Sequence, residues 1–221
     1  MKSLEFYFDY LSPYAYFAWN KVEKFCLEHK VALEARPVVF GKLLDHWGHL
    51  GPAEIPPKRE WLMKYSLYYA HVNNLPLSFP KYHPFNSLPA LRASLVSVSG
   101  KFQKQLIGEI FNAGWGQGKD IGDVNVICDV ALKIGLDIDR LKEEIVSDEC
   151  KSELKLITAE AISKGVFGIP TIIYDNQLFW GNDQFDYVSS VITQSYQVDN
   201  VVVSEIVNRP RAIDRKKIED V

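Results

Sequence analysis

Three short stretches hold residue types that chemistry can use. The first is FDYLSPYAY, residues 8–16, where an aromatic run ends, a short loop follows and Ser12–Pro13 opens a helix. A helix N-terminus presents unpaired N–H groups and the positive end of its dipole. An anion placed there is stabilised, a thiolate included, and thiol pKa values fall from ~8.5 to roughly 3.5–7.5 in such positions. From spacing alone, a plain cap is the simpler role for Ser12. The second stretch is Gly168-Ile169-Pro170-Thr171. An X-Pro bond after a glycine and before a strand is a candidate cis peptide, which would turn the preceding backbone toward a ligand; an ordinary trans proline opening a strand is the alternative. The third is Trp180-Gly181-Asn182-Asp183. Gly181 allows close backbone approach, and Asn182 and Asp183 lead into a helix. Asp183 is an N-cap on one reading. On the other, helix N–H groups bind a carboxylate while the Asp side chain binds an ammonium, which together fit the α-amino acid end of a ligand.

Other features carry less. His46-x-x-His49 has no carboxylate motif beside it, so metal ligation is not expected. Gly114-Trp115-Gly116-Gln117-Gly118-Lys119-Asp120 fails the spacing of a phosphate loop and lacks the hydroxyl after Lys, so it reads as a helix–helix connection. Trp61, Tyr65, Tyr68 and Tyr69 form a helical stripe, read as core packing or as a flat pocket wall. Asn86 and Ser87 precede Pro89 at a helix start, where capping is the simplest role.

These stretches need a frame. Residues 3–8 alternate as a strand, 12–29 read as a helix and 31–40 as a second strand, which makes a parallel pair joined by a helix. Residues 41–57 are Gly/Pro/His-rich and read as loop. Helices are expected over 58–72, 87–98, 100–112, 123–134, 138–146 and 150–163. Strands at 171–174 and 177–180 flank an Asp175–Asn176 turn, and a last helix covers 183–195. Residues 197–221 form a tail, apolar in VVVSEIV and then charged. The order predicts one four-stranded α/β unit split by a helical insertion, with boundaries near residues 40–57 and 164–166.

The chain has 221 residues, 47% apolar and 24% charged, values of a globular protein with a substantial core. Lys and Arg number 25 against 28 Asp and Glu, a net charge of -3. No basic field is present to hold a phosphate backbone, so no nucleic acid partner is expected. No apolar run reaches the roughly 20 residues of a membrane span, and Glu5 and Asp9 interrupt what would be a signal-peptide core. Cys26, Cys128 and Cys150 form no Cys-x-x-Cys pair. A reduced, cytoplasmic setting is expected, with the three thiols acting as small buried hydrophobes.

FDYLSPYAY, FGIPT and LFWGND, with HPFNSLPALRA between them, resemble the 2-hydroxychromene-2-carboxylate isomerase family, close to the kappa-class glutathione transferases, over about residues 3–195. The resemblance implies an α/β, thioredoxin-like (DsbA-type) fold with an all-helical insertion. Residues 1–40 and 165–196 would form the thioredoxin-like domain, 41–164 the insertion and 197–221 a C-terminal tail. Ser12 and Ala15 stand where redox relatives carry their two cysteines, so dithiol–disulfide exchange is not available to this site, and the resemblance implies glutathione as the cofactor that brings in the thiol. Ser12 would hold its sulfur as thiolate, Ile169 and Pro170 would meet its cysteinyl backbone, Asn182 and Asp183 its γ-glutamyl end, and Lys58 its glycyl carboxylate. His49 falls where kappa-class enzymes carry Asn, and Gln184 where these families carry Arg. His49 and Asn86 are candidate substrate contacts. The implied activity is glutathione-dependent cis–trans isomerisation of a small aromatic carboxylate. A kappa-like transferase or peroxidase and a non-catalytic thioredoxin-fold adaptor are the alternatives. The oligomeric state is left open by the sequence, with the helical insertion and the tail offering apolar surface for a homodimer.

Overall fold

A computed structural model describes residues 2–213. The charged end of the expected tail, from residue 214, lies outside them. The chain opens with β1 (Ser3–Phe8), α1 (Pro13–His29) and β2 (Ala32–Pro37). Helices follow: α2 (Phe40–Trp47), α3 (Pro56–Val72), α4 (Leu88–Ala93), α5 (Val96–Ser99), α6 (Gln103–Phe111), α7 (Val124–Lys133), α8 (Ile138–Glu144) and α9 (Asp148–Ser163). The chain then returns through β3 (Thr171–Tyr174) and β4 (Gln177–Trp180) to α10 (Phe185–Ile192) and α11 (Asn200–Val207). The four strands form one sheet in the order β2-β1-β3-β4. β1 and β2 are parallel, and the other two pairs are antiparallel.

Side chains of a strand alternate between faces, and β1 uses both. Leu4, Phe6 and Phe8 join a core with Trp19 of α1 and Phe111 and Trp115 of the helical block. Tyr7 faces the other way, into a smaller cluster with Val38, Leu43, Val166 and Ile169. One buried core therefore runs from the sheet into the helices inserted between β2 and β3.

The sequence expectations need four corrections. Residues 41–47, expected as loop, form α2 together with Phe40 from the end of the expected second strand: Leu43 is buried beneath it, and Gly48 ends it in the left-handed region. The helix expected over 87–98 breaks in two, because the Ser94 hydroxyl bonds back to Ala90 O and the chain turns at Leu95. The helix expected over 100–112 starts as a tight 3₁₀ turn, and a π-turn, Asn112–Gly116, follows it. The last helix of the sheet domain spans 185–192, because Gln184 and not Asp183 occupies its cap position. The tail's VVVSEIV stretch lies within α11, which buries none of its residues.

Candidate active site

Ser12 caps α1. Its backbone is extended, and its hydroxyl accepts from Ala15 N at 3.1 Å, which leaves the hydroxyl hydrogen to donate to a bound anion. Pro13 at the first helical position gives up an N–H that would be unpaired anyway.

The sheet register brings the other two stretches to the same end. Tyr7 pairs with Thr171, and Thr171 with Trp180. Pro170 therefore adjoins the end of β1 from which the chain runs to Ser12. The Ile169–Pro170 bond is cis. Gly181 N donates to Pro170 O at 2.9 Å, tying the turn after β4 to the proline, and Gly181 adopts φ +120, which glycine alone enters freely. At Gly168 the ring of Trp180 comes so close that an added Cβ would stand 2.6 Å from its Nε1.

Asn182 is buried, and its Nδ2 has no hydrogen-bond partner among the described residues. Asp183 is exposed and accepts from the side-chain amide of Gln184 at 2.9 Å. Tyr14, in the first turn of α1, has its phenol pushed up to about 12 by burial, then by Tyr65 and by the carboxylate of Asp183. The Asp183 carboxylate thus lies within electrostatic reach of Tyr14, two residues after Ser12. Tyr14 meets Tyr65 edge-on, and Tyr65 stacks on Trp61 at 5.1 Å. The stripe on α3 therefore forms a partly exposed aromatic wall beside the start of α1 as well as a contact with the core.

Lys58 is an exposed residue in the first turn of α3. Its neighbour Arg59 donates to His83 O at 3.2 Å, and His83 meets Leu11 O at 2.9 Å, so this helix end is tied to the turn before Ser12. His49 is exposed behind α2, with its ring 3.4 Å from Leu50 O. Asn86 Oδ1 accepts from Leu88 N at 3.2 Å, the local capping role. Among the described residues no hydrogen bond joins either side chain to Ser12, Pro170 or Asn182. Cavities of about 320 Å³ lie between α5 and α8 and beside β2, and none of these site residues lines them.

Three residues that sequence reasoning missed hold the turn before Ser12. Asp9 is fully buried and accepts from Leu11 N at 3.1 Å and Phe40 N at 3.0 Å. Burial pushes its carboxyl up to about 6, against the opposing pull of those bonds. Trp115 Nε1 donates to Tyr10 O at 2.8 Å. His83 meets Leu11 O, and its peptide bond to Pro84 is also cis. The three act on backbone atoms, so they leave no spacing pattern in the sequence.

The chain supplies no thiolate of its own here. Cys26, Cys128 and Cys150 are buried as expected, and burial pushes Cys26 and Cys150 up to about 11. Among the described residues no group of three or more His, Cys, Asp or Glu side chains is placed to hold a metal, and no helix is long and apolar enough to cross a membrane.

A strand, a capped helix start, a proline loop ahead of an antiparallel hairpin and a helical block between the halves define a thioredoxin-type protein. Residues 3–193 match the DsbA-like thioredoxin domain. A 2-hydroxychromene-2-carboxylate isomerase of Sphingobium xenophagum is 30% identical over 193 residues, 86% of this chain and 98% of that protein. Glutathione S-transferase kappa 2 of Caenorhabditis elegans is 25% identical over 211 residues, 89% of this chain and 94% of that protein. The solved structure of selenomethionine 2-hydroxychromene-2-carboxylate isomerase shares the fold at a TM-score of 0.80 and 22% identity, covering 92% of this chain and 98% of that one. The chain belongs to the DsbA-like thioredoxin-domain family, in its 2-hydroxychromene-2-carboxylate isomerase branch.

Proposed function

We propose that the protein is a glutathione-dependent cis–trans isomerase of 2-hydroxychromene-2-carboxylate-type substrates. The observation that carries this reading is a capped helix start with no cysteine, sharing one end of the sheet with the buried, unpartnered amide of Asn182. Such a site suits an external thiol whose other end is a polar amino acid. The residues fit glutathione: Asn182 Nδ2 needs an acceptor, and a carboxylate provides one. Its relatives also include glutathione transferases of the kappa class.

Bound glutathione would supply a thiolate that adds to the electron-poor double-bond carbon of the ring-opened substrate and leaves again after the bond has turned, with no net oxidation or reduction. Ser12 donates its hydroxyl hydrogen to the sulfur, and the α1 dipole favours the charge. Ile169 and Pro170 offer backbone to the cysteinyl portion. Asn182 takes the carboxylate and Asp183 the ammonium of the γ-glutamyl end, while Lys58 meets the glycyl carboxylate. The Trp61–Tyr65–Tyr14 wall offers a flat apolar surface to an aromatic ring. The chain's contribution is mainly positioning and charge stabilisation.

The test is turnover of a 2-hydroxychromene carboxylate with and without glutathione, together with a glutathione-soaked crystal. Isomerisation that requires glutathione, with sulfur beside Ser12, supports the reading. Full turnover without glutathione overturns it. Activity only toward an aromatic halide or a hydroperoxide would assign a kappa-like transferase, and no calorimetric heat with glutathione would point to a non-catalytic adaptor.

A further inference from the structure

We propose that His83 is a positioning residue for the Ser12 turn, holding the Leu11 carbonyl away from the anion that the first turn of α1 binds. This rests on the placement of the thiolate at Ser12 proposed above.

The geometry is specific. His83 lies on the strap between α3 and α4, and its Nε2 is 2.9 Å from Leu11 O. A carbonyl only accepts, so Nε2 carries the hydrogen and Nδ1 is bare. Nδ1 is buried and has no partner among the described residues, so protonating it would bury an unpaired N–H. Burial accordingly pulls the imidazole below its ordinary pKa, and the nearby Arg59 guanidinium acts in the same direction. The charged groups near the ring are Arg59 from α3 and, across the Leu11 peptide, Asp9. Trp115 and Phe85 are its aromatic neighbours.

The strap itself is pinned. Tyr16 OH donates to Pro76 O at 2.7 Å, Ser78 N to Trp115 O at 2.6 Å, and Arg59 to His83 O. The imidazole is therefore a fixed donor. Leu11 O lies one residue before Ser12, and its negative end would oppose a thiolate if it were free to turn toward the site. The His83 N–H engages that carbonyl and fixes its direction.

The test uses the full-length chain in two backgrounds. In the first, the thiolate absorbance of bound glutathione near 240 nm is titrated for wild type, His83→Phe, His83→Asn and His83→Gln, with kcat and KM measured alongside. Gln can place a donor where Nε2 sits, whereas Asn is polar but too short. Phe and Asn should each raise the bound thiol's pKa by about one, a tenfold loss of thiolate at a fixed lower pH. They should lower kcat about tenfold, with the KM for glutathione within about twofold. Gln should recover most of both. In the second background, Ser12→Cys puts a thiol into the chain, and its pKa should respond to the same three substitutions without any glutathione. If this introduced thiol responds but no thiolate appears with glutathione, the glutathione reading fails and the role of His83 stands. A thiol pKa in the Ser12→Cys background that is unchanged by His83→Asn in a folded protein, or a Gln variant that behaves as Asn does, overturns the inference.

Discussion

The indole Nε1 of Trp115 donates to the carbonyl of Tyr10 at 2.8 Å, and Trp115 has no solvent exposure. A residue of the helical block thereby holds the chain two positions before Ser12. The block reaches the turn at three points, through Trp115, through His83, and through Phe40 N at the start of α2, which donates to Asp9.

Trp115→Phe removes that donor and leaves a gap in a closely packed core. Losing one hydrogen bond together with part of a buried ring should cost about 2 kcal/mol. Urea unfolding should show a lower midpoint with an unchanged slope. A stability equal to wild type would mean that Tyr10 O had found another donor.

Ser12→Ala removes the cap and, with it, the donor proposed for the sulfur. Stability should fall by about 1 kcal/mol, as for a lost N-cap. Turnover with glutathione should fall about a hundredfold, the scale of a lost donor to a developing or bound anion. Ser12→Asn restores a cap acceptor, so chemical denaturation and steady-state kinetics on the two variants separate the contributions. Recovered stability with turnover still low is the expected result.

Much of the frame was legible in the sequence because local rules and the fold agree there. Ser12–Pro13 is a helix start by capping and by proline placement, the alternation in residues 3–8 marks β1, and Asp175–Asn176 marks the turn between β3 and β4. The misses have local causes. α2 was hidden because its buried face is little more than Leu43 and glycine, proline and histidine surround it. Asp183 looked like a cap, yet its carboxylate is engaged by Gln184 and the helix starts later. Ser12, Ile169–Pro170 and Gly181–Asp183 were found because each carries a short motif. Asp9, His83 and Trp115 support the same turn through backbone atoms from 72 or more residues apart in two of the three cases, and single-sequence spacing contains no trace of such pairs.

Asp9 predicts a particular pH dependence of stability. Burial raises its carboxyl from 3.8 to about 6 in the folded chain. Between those values the native state keeps a proton that the unfolded state has released. This group's contribution is therefore complete below 3.8 and is lost as pH rises through about 6, a change of about 3 kcal/mol. Asp9→Asn stays neutral and should flatten that part of the profile. Unfolding free energies from pH 4 to pH 7 on both proteins check it; parallel profiles would show that Asp9 does not carry the proton.

On the proposed function, Asn182 is expected to set stability against binding. The residue is 7% exposed, and its Nδ2 has no partner among the described residues. A buried unsatisfied donor costs about 1–3 kcal/mol, and leucine keeps the branched four-atom side chain, though a bulkier one, with no polar atom to satisfy. Asn182→Leu should therefore raise the unfolding free energy by about 1 kcal/mol while weakening glutathione about tenfold, since a carboxylate entering the site would lose its donor. Asn182→Asp should weaken binding further, because a second carboxylate there repels the first. Thermal melts and calorimetry on the three proteins read both quantities. A gain in stability paired with a loss of affinity marks Asn182 as a binding group held ready at a cost to the fold. Loss of both together would instead make it part of the scaffold, and the γ-glutamyl end would then have to be held by Asp183 and its neighbours.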